Sequence, residues 1–282
     1  MATVIQKTYI CCYLKIYNMR NLLRRSLSGL IFVFLFVSAI LYSKESFVIL
    51  TAIFAGISIW EFHKIIHFKS LASYLFFAAA VFLLLKNSDN YAVVGILGIN
   101  IISSLFLSYQ LISKKKISYQ DDRSKMGLTV RYIVFSFCFL ILIPFQGDQY
   151  NAATILSILL LIWTNDSFAF IVGKNFGKIK LFISISPKKT IEGFFGGLIF
   201  SIATGYLISI YVTNYSLINW IVIAVIVSII GTIGDLIESK FKRQANIKDS
   251  GTIMPGHGGI LDRFDSLLFV APFVYLYINF II

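Results

Sequence analysis

The sequence predicts an all-α, polytopic integral membrane protein of about nine transmembrane helices with its N-terminus in the cytoplasm. Three observations carry that reading. Hydrophobic residues make up 58% of the chain and charged residues only 13%, with a mean hydropathy of +0.83; an ordinary soluble domain carries roughly 25% charged residues. Apolar runs recur along nearly the whole length. In hydrocarbon each run must satisfy its own backbone hydrogen bonds, which favours helices over isolated strands. The third observation is the alternation of basic loops described below.

The first span, 27–43, follows a compact basic start, Met19-Arg20-Asn21-Leu22-Leu23-Arg24-Arg25, and has no small-residue cleavage site after it. It reads as a retained anchor rather than a signal peptide. Residues 1–18 look like an extension, with translation from Met19 the expectation. Spans 46–62 and 70–86 come next; both are short for a crossing of about 20 residues, which leaves room for partly re-entrant segments. Span 91–112 is full length, and 129–144 is short again. Spans 152–173, 191–213 and 217–234 are long, and 266–281 ends the chain. With the N-terminus inside, 23 of the 25 Lys and Arg residues fall on the cytoplasmic side, leaving only Lys44 and Lys86 opposite, as the excess of cations in cytoplasmic loops requires. The run Lys114-Lys115-Lys116 reads as one such topology determinant.

The chain divides into a basic N-terminal segment (1–26), a scaffold of helices (27–150) and a region rich in candidate chemistry (151–282). In the scaffold, Glu61 stands beside Trp60 and near His63 and His67. An interfacial anchor is expected there rather than a metal site. Cys11, Cys12 and Cys138 offer no metal-ligand spacing beyond one adjacent pair. The net charge of +12 is dispersed over short loops, which argues against nucleic acid. On the cytoplasmic side that charge suits anionic lipid headgroups or a phosphorylated soluble substrate.

Seven of the 13 acidic residues fall from Asp166 onward, as Asp166, Glu192, Asp235, Glu238, Asp249, Asp262 and Asp265, among basic residues. Either these charges bridge to hold loops together, or Asp side chains hold a divalent metal while the cations hold phosphates. Mg²⁺ favours the second reading, since it takes one or two carboxylates plus water and phosphate oxygens. Glycines 231, 234, 251, 256, 258 and 259 let backbone approach an anion closely. No Walker or dinucleotide glycine motif is present. Asp235 ends a strongly apolar span and Asp166 lies within one, where ionised groups usually have a partner or a task. An interfacial pair of Asp235 with Lys240 or Lys242, and an interhelical hydrogen bond for Asp166, are the structural alternatives.

The C-terminal segment joins Ser239, Phe241, Lys242-Arg243, Lys248-Asp249, His257-Gly258-Gly259, Ile260, Asp262-Arg263, Phe264 and Asp265. At these spacings it resembles the signature of the phosphatidate cytidylyltransferases, also called CDP-diacylglycerol synthases. A second block is similar too: Asp166 to Phe170, Gly173, Gly177, Lys180-Leu181, Ser186-Pro187-Lys188-Lys189-Thr190-Ile191-Glu192-Gly193 and Gly196-Gly197. The first half resembles the family only in hydropathy and in its basic start.

The resemblance implies conversion of CTP and phosphatidate into CDP-diacylglycerol and pyrophosphate with Mg²⁺, by a multi-pass, commonly dimeric protein. It places the active site on the cytoplasmic face, and the short bacterial-style chain points to the inner (plasma) membrane of a prokaryote. By the same resemblance Asp235 and Asp249 would hold the metal, and Lys248, Lys242, Arg243 and Arg263 would hold phosphate oxygens or the leaving pyrophosphate. Asp262 and Asp265 would complete the metal shell or orient Arg263. Lys188 and Lys189 would serve CTP or the lipid headgroup, with Ser239, Asp166 and Glu192 in the same substrate-binding set. His257 would donate to a phosphate or fix a tight loop. The rival readings are a CTP-dependent enzyme acting on another lipid phosphate or polyprenol, and a transporter with intramembrane Asp residues as ion sites. The transporter is disfavoured because the acidic residues cluster at one face and no internal repeat is evident.

Overall fold

A computed structural model describes residues 24–86, 90–113, 115–147 and 149–282. The expectations for the 1–18 extension, the Met19 start, Cys11-Cys12 and Lys114 lie outside the described residues. The helices are α1 (Arg24–Tyr42), α2 (Lys44–Ile65), α3 (Ala72–Lys86), α4 (Asn90–Ile112) and α5 (Asp122–Thr129). A π-helical turn, Val130–Val134, carries α5 directly into α6 (Phe135–Leu142), and α7 (Ala152–Phe176), α8 (Ile191–Tyr211), α9 (Leu217–Gln244) and α10 (Leu261–Phe280) follow. Among the described residues seven helices are long and apolar enough to cross a membrane, counting Asp122–Leu142 as one; α3, of 15 residues, and α10 fall outside that set.

Three helices run well beyond one end of the apolar windows that predict them, the others by three residues or fewer. The fifth span begins at Asp122, where the Asp121 carboxylate accepts from Ser124 N–H at 3.3 Å and caps the helix, the usual way an Asx side chain satisfies a first-turn donor. The α9 helix continues ten residues past Gly234 because Asp235–Gln244, though charged, is built mostly of residues that tolerate a helix well. The α10 helix starts at Leu261, so Asp262, Arg263 and Asp265 stand on its first turns rather than in a loop. Acidic residues are favourable at that end of a helix dipole, an effect that hydropathy alone does not register.

The molecule is mostly helical, as expected, and adds two short antiparallel hairpins. β1 (Phe145–Gln146) pairs with β2 (Gln149–Tyr150), and β3 (Lys180–Phe182) with β4 (Ser186–Thr190). Each satisfies backbone groups that a connection between two helices leaves open. In β4, Pro187 is tolerated because a two-stranded ribbon consists only of edges.

Asp122–Leu142 is the most enclosed of the seven long helices, with Phe137, Phe139 and Leu140 fully buried. α10 packs against α9, α6 and α2, so the two halves of the chain share one core. Phe264 of α10 meets Phe36 of α1 and Phe54 of α2, each at 5.5 Å between ring centroids. Such aromatic pairs add about 0.5–1.5 kcal/mol beyond their burial. α7 crosses α8 at close range through glycine. A Cβ at Gly193 would stand 2.6 Å from the Ala169 carbonyl, and one at Gly197 would stand 2.7 Å from that of Asn165. Small residues at such a crossing let the backbones approach. This crossing carries Asp166, on α7, to the same cavity as the lysines of β4, which lead into α8.

Candidate active site

A cavity of about 800 Å³ opens between α1, α7, the β3–β4 hairpin, α8, α9 and α10. Lys174, Lys180, Lys188, Lys189 and Arg263 line it together with Asp166, Asp235, Asp262 and Asp265. Phe32, Trp163, Phe170 and Phe194 supply apolar wall. A smaller, apolar pocket of about 210 Å³ lies between α4, α8, α9 and β3, and shares Leu181, Phe194 and Thr232 with the first.

Asp235 faces this space from α9. Its Oδ2 is 2.5 Å from Lys189 Nζ, and its Oδ1 accepts from the Ser239 hydroxyl at 3.2 Å. The partner is therefore Lys189 rather than Lys240 or Lys242; Lys240 instead donates to the Gln110 carbonyl at 2.7 Å. Asp166 and Asp265 line the same cavity as Asp235.

The segment between α9 and α10 is held by a dry clasp. Lys242 Nζ donates to Asp262 Oδ1 at 2.6 Å and also pairs with Glu238. All three side chains are less than a tenth exposed. The other oxygen of Asp262 accepts from Ser250 N–H at 2.9 Å and Gly259 N–H at 2.7 Å. Gly258, at φ +91°, takes a left-handed turn that a side chain would strain. His257, inside this loop, is bonded through Nδ1 to the Ser28 hydroxyl of α1 at 2.7 Å, and its carbonyl accepts from Arg263 Nη2 at 3.0 Å. Burial first, and then the positive charges of Arg263 and Arg25, hold the His257 imidazole below its ordinary pKa.

The structure thus brings together, around one cavity, Asp235, Asp166, Asp265, Lys188, Lys189, Arg263 and His257, with Asp262 at its edge and Ser239 orienting Asp235. It separates others. Lys248 and Asp249 are exposed on the α9–α10 loop and are absent from the cavity wall, so Asp235 and Asp249 do not line one site. Asp249 instead backs onto Gly258. Lys242 is consumed by the clasp. Arg243 donates to the carbonyls of Ile185 and Ile247, tying the hairpin to the end of α9. Glu192 accepts from Ile179 N–H at 3.1 Å and secures the start of β3. Lys174 and Lys180 carry no role in the sequence reading, though Lys180 lies in the second block and Lys174 in the run from Gly173 to Lys178, which resembles a P-loop only loosely and leaves a helix rather than a strand. Glu61 corrects the expectation of an interfacial anchor. It is fully buried, because Ser250, Ile260 and Leu261 all donate to it.

Among the described residues no three His, Cys, Asp or Glu side chains are grouped to cage a metal ion by themselves. A hard divalent cation that keeps water and substrate oxygens in its shell needs only one or two carboxylates. Asp235 suits that role, for its Oδ2 already carries a cation in the form of the Lys189 ammonium. Asp166 and Asp265 are the neighbouring oxygen donors. Five cations around a few carboxylates make a site for a polyanion, with room for its counter-cation.

A model of the cytidylyltransferase family matches residues 23–281. The phosphatidate cytidylyltransferase of Staphylococcus epidermidis (strain RP62A) is 34% identical over 254 residues, 88% of this chain and 95% of its own. Those of Staphylococcus saprophyticus and Staphylococcus aureus (strain COL) are 42% and 44% identical over 172 residues, 60% of this chain and 64% of theirs. With these two the matched stretch spans just under two thirds of the relative's length.

Proposed function

The chain belongs to the cytidylyltransferase family, and from that premise we propose that it transfers CMP from CTP to phosphatidate, giving CDP-diacylglycerol and pyrophosphate, with Mg²⁺ as cofactor. The observation that carries this reading is the single cavity in which five cations and several carboxylates share a wall with the exposed aromatic side chains of Trp163 and Phe170. A nucleoside triphosphate needs the first part, and a lipid that keeps its acyl chains in the bilayer needs the second.

In the reaction a phosphate oxygen of phosphatidate bonds to the α-phosphorus of CTP as the bond to the bridging oxygen of the β-phosphate breaks, and pyrophosphate leaves. The attacking phosphate is already anionic at neutral pH, so no side chain has to take its proton. Catalysis reduces to alignment and charge neutralisation. Lys188, Lys189 and Arg263 are assigned to the phosphates of CTP, with Lys174 and Lys180 to the remaining charge at the cavity wall. Asp235, with Asp265 and Asp166, would hold Mg²⁺, which when bound neutralises phosphate charge. When the substrates enter, Lys189 leaves Asp235 for phosphate. The smaller apolar pocket, which shares Leu181 and Phe194 with the cavity wall, is assigned to an acyl chain.

The same reading places nine spans in the inner (plasma) membrane with the N-terminus and the cavity on the cytoplasmic side, where CTP is dissolved. It includes a homodimer, which the mass of the detergent-solubilised protein tests. The deciding experiment is pyrophosphate release by the purified protein given CTP and Mg²⁺, with and without phosphatidate, alongside Asp235→Asn. Release that needs both phosphatidate and Asp235 is expected. Release that needs a different lipid phosphate or a polyprenol acceptor would overturn the assignment of substrate, and none at all in reconstituted membranes would overturn the reaction class.

A further inference from the structure

Glu61 lies on α2, in the scaffold half, and outside the cavity wall. Its carboxylate is fully buried and reaches across about 200 residues of sequence. Oε1 accepts from Ile260 N–H at 3.1 Å; Oε2 accepts from Leu261 N–H at 2.8 Å and from the Ser250 hydroxyl at 3.0 Å. Ile260 and Leu261 open α10, whose N-cap makes no side-chain hydrogen bond of its own. A helix start leaves its first N–H groups unpaired and attracts negative charge. Glu61 therefore caps α10 from another helix while also holding Ser250, two residues beyond Lys248. Gly251 and Gly259 are fitted to it, for a Cβ at either would collide with the carboxylate.

We propose that Glu61 is a positioning residue for the reaction, fixing both ends of the 250–260 loop so that His257 and Arg263 meet the cavity in their working places. The proposal rests on the function proposed above only for its activity readout. Both carboxylate oxygens are needed. An amide has one acceptor, and its NH₂ end would face a backbone N–H that cannot accept from it. Glu61→Gln therefore keeps the shape and leaves one of the two helix N–H groups without its acceptor.

The test uses the full-length protein in nanodiscs and compares Glu61→Gln with Ser58→Ala. Ser58 lies one turn earlier on α2, with a buried hydroxyl that finds no partner among the described residues. Three quantities are read: hydrogen exchange by mass spectrometry, kcat and KM from pyrophosphate release, and the melting temperature. For Glu61→Gln, exchange is expected to rise in 250–261 and stay unchanged in α7 and α8. kcat falls about tenfold to a hundredfold, the loss that small misplacements of reacting groups produce. KM for phosphatidate is expected to hold and Ser58→Ala to match wild type. Wild-type protection and kcat in Glu61→Gln would overturn the proposal, as would exchange that rises equally in α7 and α8, which marks a general loss of fold. If the wild-type protein used another acceptor, the exchange data would still decide the role of Glu61.

Discussion

Replacing Lys242 by methionine separates the two tasks open to a cation in this segment, holding substrate or holding the protein. Its ammonium sits 2.6 Å from Asp262 and pairs also with Glu238, and the three side chains are 9%, 6% and 1% exposed. Methionine fills similar space and leaves two buried carboxylates without their counter-charge. Removing one partner of a buried pair costs about 3–5 kcal/mol. Asp262 retains the Ser250 and Gly259 amides, so the low end applies, with Glu238 carrying most of the loss. At about 2–4 °C per kcal/mol for a chain of this size, the melting temperature falls by about 6–12 °C. The measurements are thermal unfolding of the solubilised protein by tryptophan fluorescence, and pyrophosphate release well below both midpoints. KM for CTP should stay within about twofold, since no substrate contact is removed. Adding Glu238→Leu should recover part of the stability, because a buried ion pair is often replaceable by apolar groups. An unchanged melting temperature together with a KM for CTP raised about tenfold would refute the reasoning and make Lys242 a substrate ligand.

Four further outcomes are expected. Chelation should abolish activity and Mg²⁺ restore it; Asp235→Asn should cost on the order of a hundredfold in kcat and Asp249→Asn less than about tenfold, scales that removal of groups at or beside a metal produces, and the reverse order would return the metal to Asp249. Gly197→Val should destabilise by about 1–3 kcal/mol or more through overpacking, seen in the melting temperature, because its Cβ enters the space of Asn165. His257 has a folded pKa below its unfolded value near 6.5, so the unfolded chain binds its proton first as pH falls; its contribution is intact above that value and declines between it and the lower folded pKa. His257→Gln should flatten that part of the stability–pH curve. Ile233→Trp should fill the smaller pocket and raise KM for dioleoyl phosphatidate several-fold while leaving dioctanoyl phosphatidate and CTP unaffected.

Helix positions were legible because each apolar run must close its own hydrogen bonds. The ends of α9 and α10 were not, because hydropathy discounts the charged turns that extend them. At the site, Asp235, Asp166, Lys188, Lys189 and Arg263 were legible as charges beside apolar segments. Spacing could not say that Lys242, Arg243 and Glu192 spend their polar groups on protein partners, since a cation bound to phosphate and a cation bound to a buried carboxylate look alike in one dimension. Glu61 was illegible for a different reason. Its donors are backbone N–H groups about 200 residues away, and only tertiary structure brings them to it.

The charges of β4, α9 and α10 are therefore of two kinds. Lys242, Glu238 and Asp262 are dry and set the loop; Asp235, Asp265, Arg263 and Lys189 face the cavity and remain available to ligand. The dry charges tolerate little change because Lys242 is the shared counter-charge of two buried carboxylates and Asp262 also holds two backbone N–H groups, while charges at the cavity are constrained by the ligand. Both sets require fixed spacing along α9 and α10, since a helix presents a given face only every third or fourth residue. Glu238 and Lys242 share a face at four residues, and Asp262 and Asp265 rise from α10 three apart, both at the cavity wall, with Asp262 bound into the clasp. Shifting the start of α10 by one residue would turn both carboxylates by about 100° away from their partners, which is why a buried cap such as Glu61, far from the chemistry, belongs to the same machinery as the residues it holds in place.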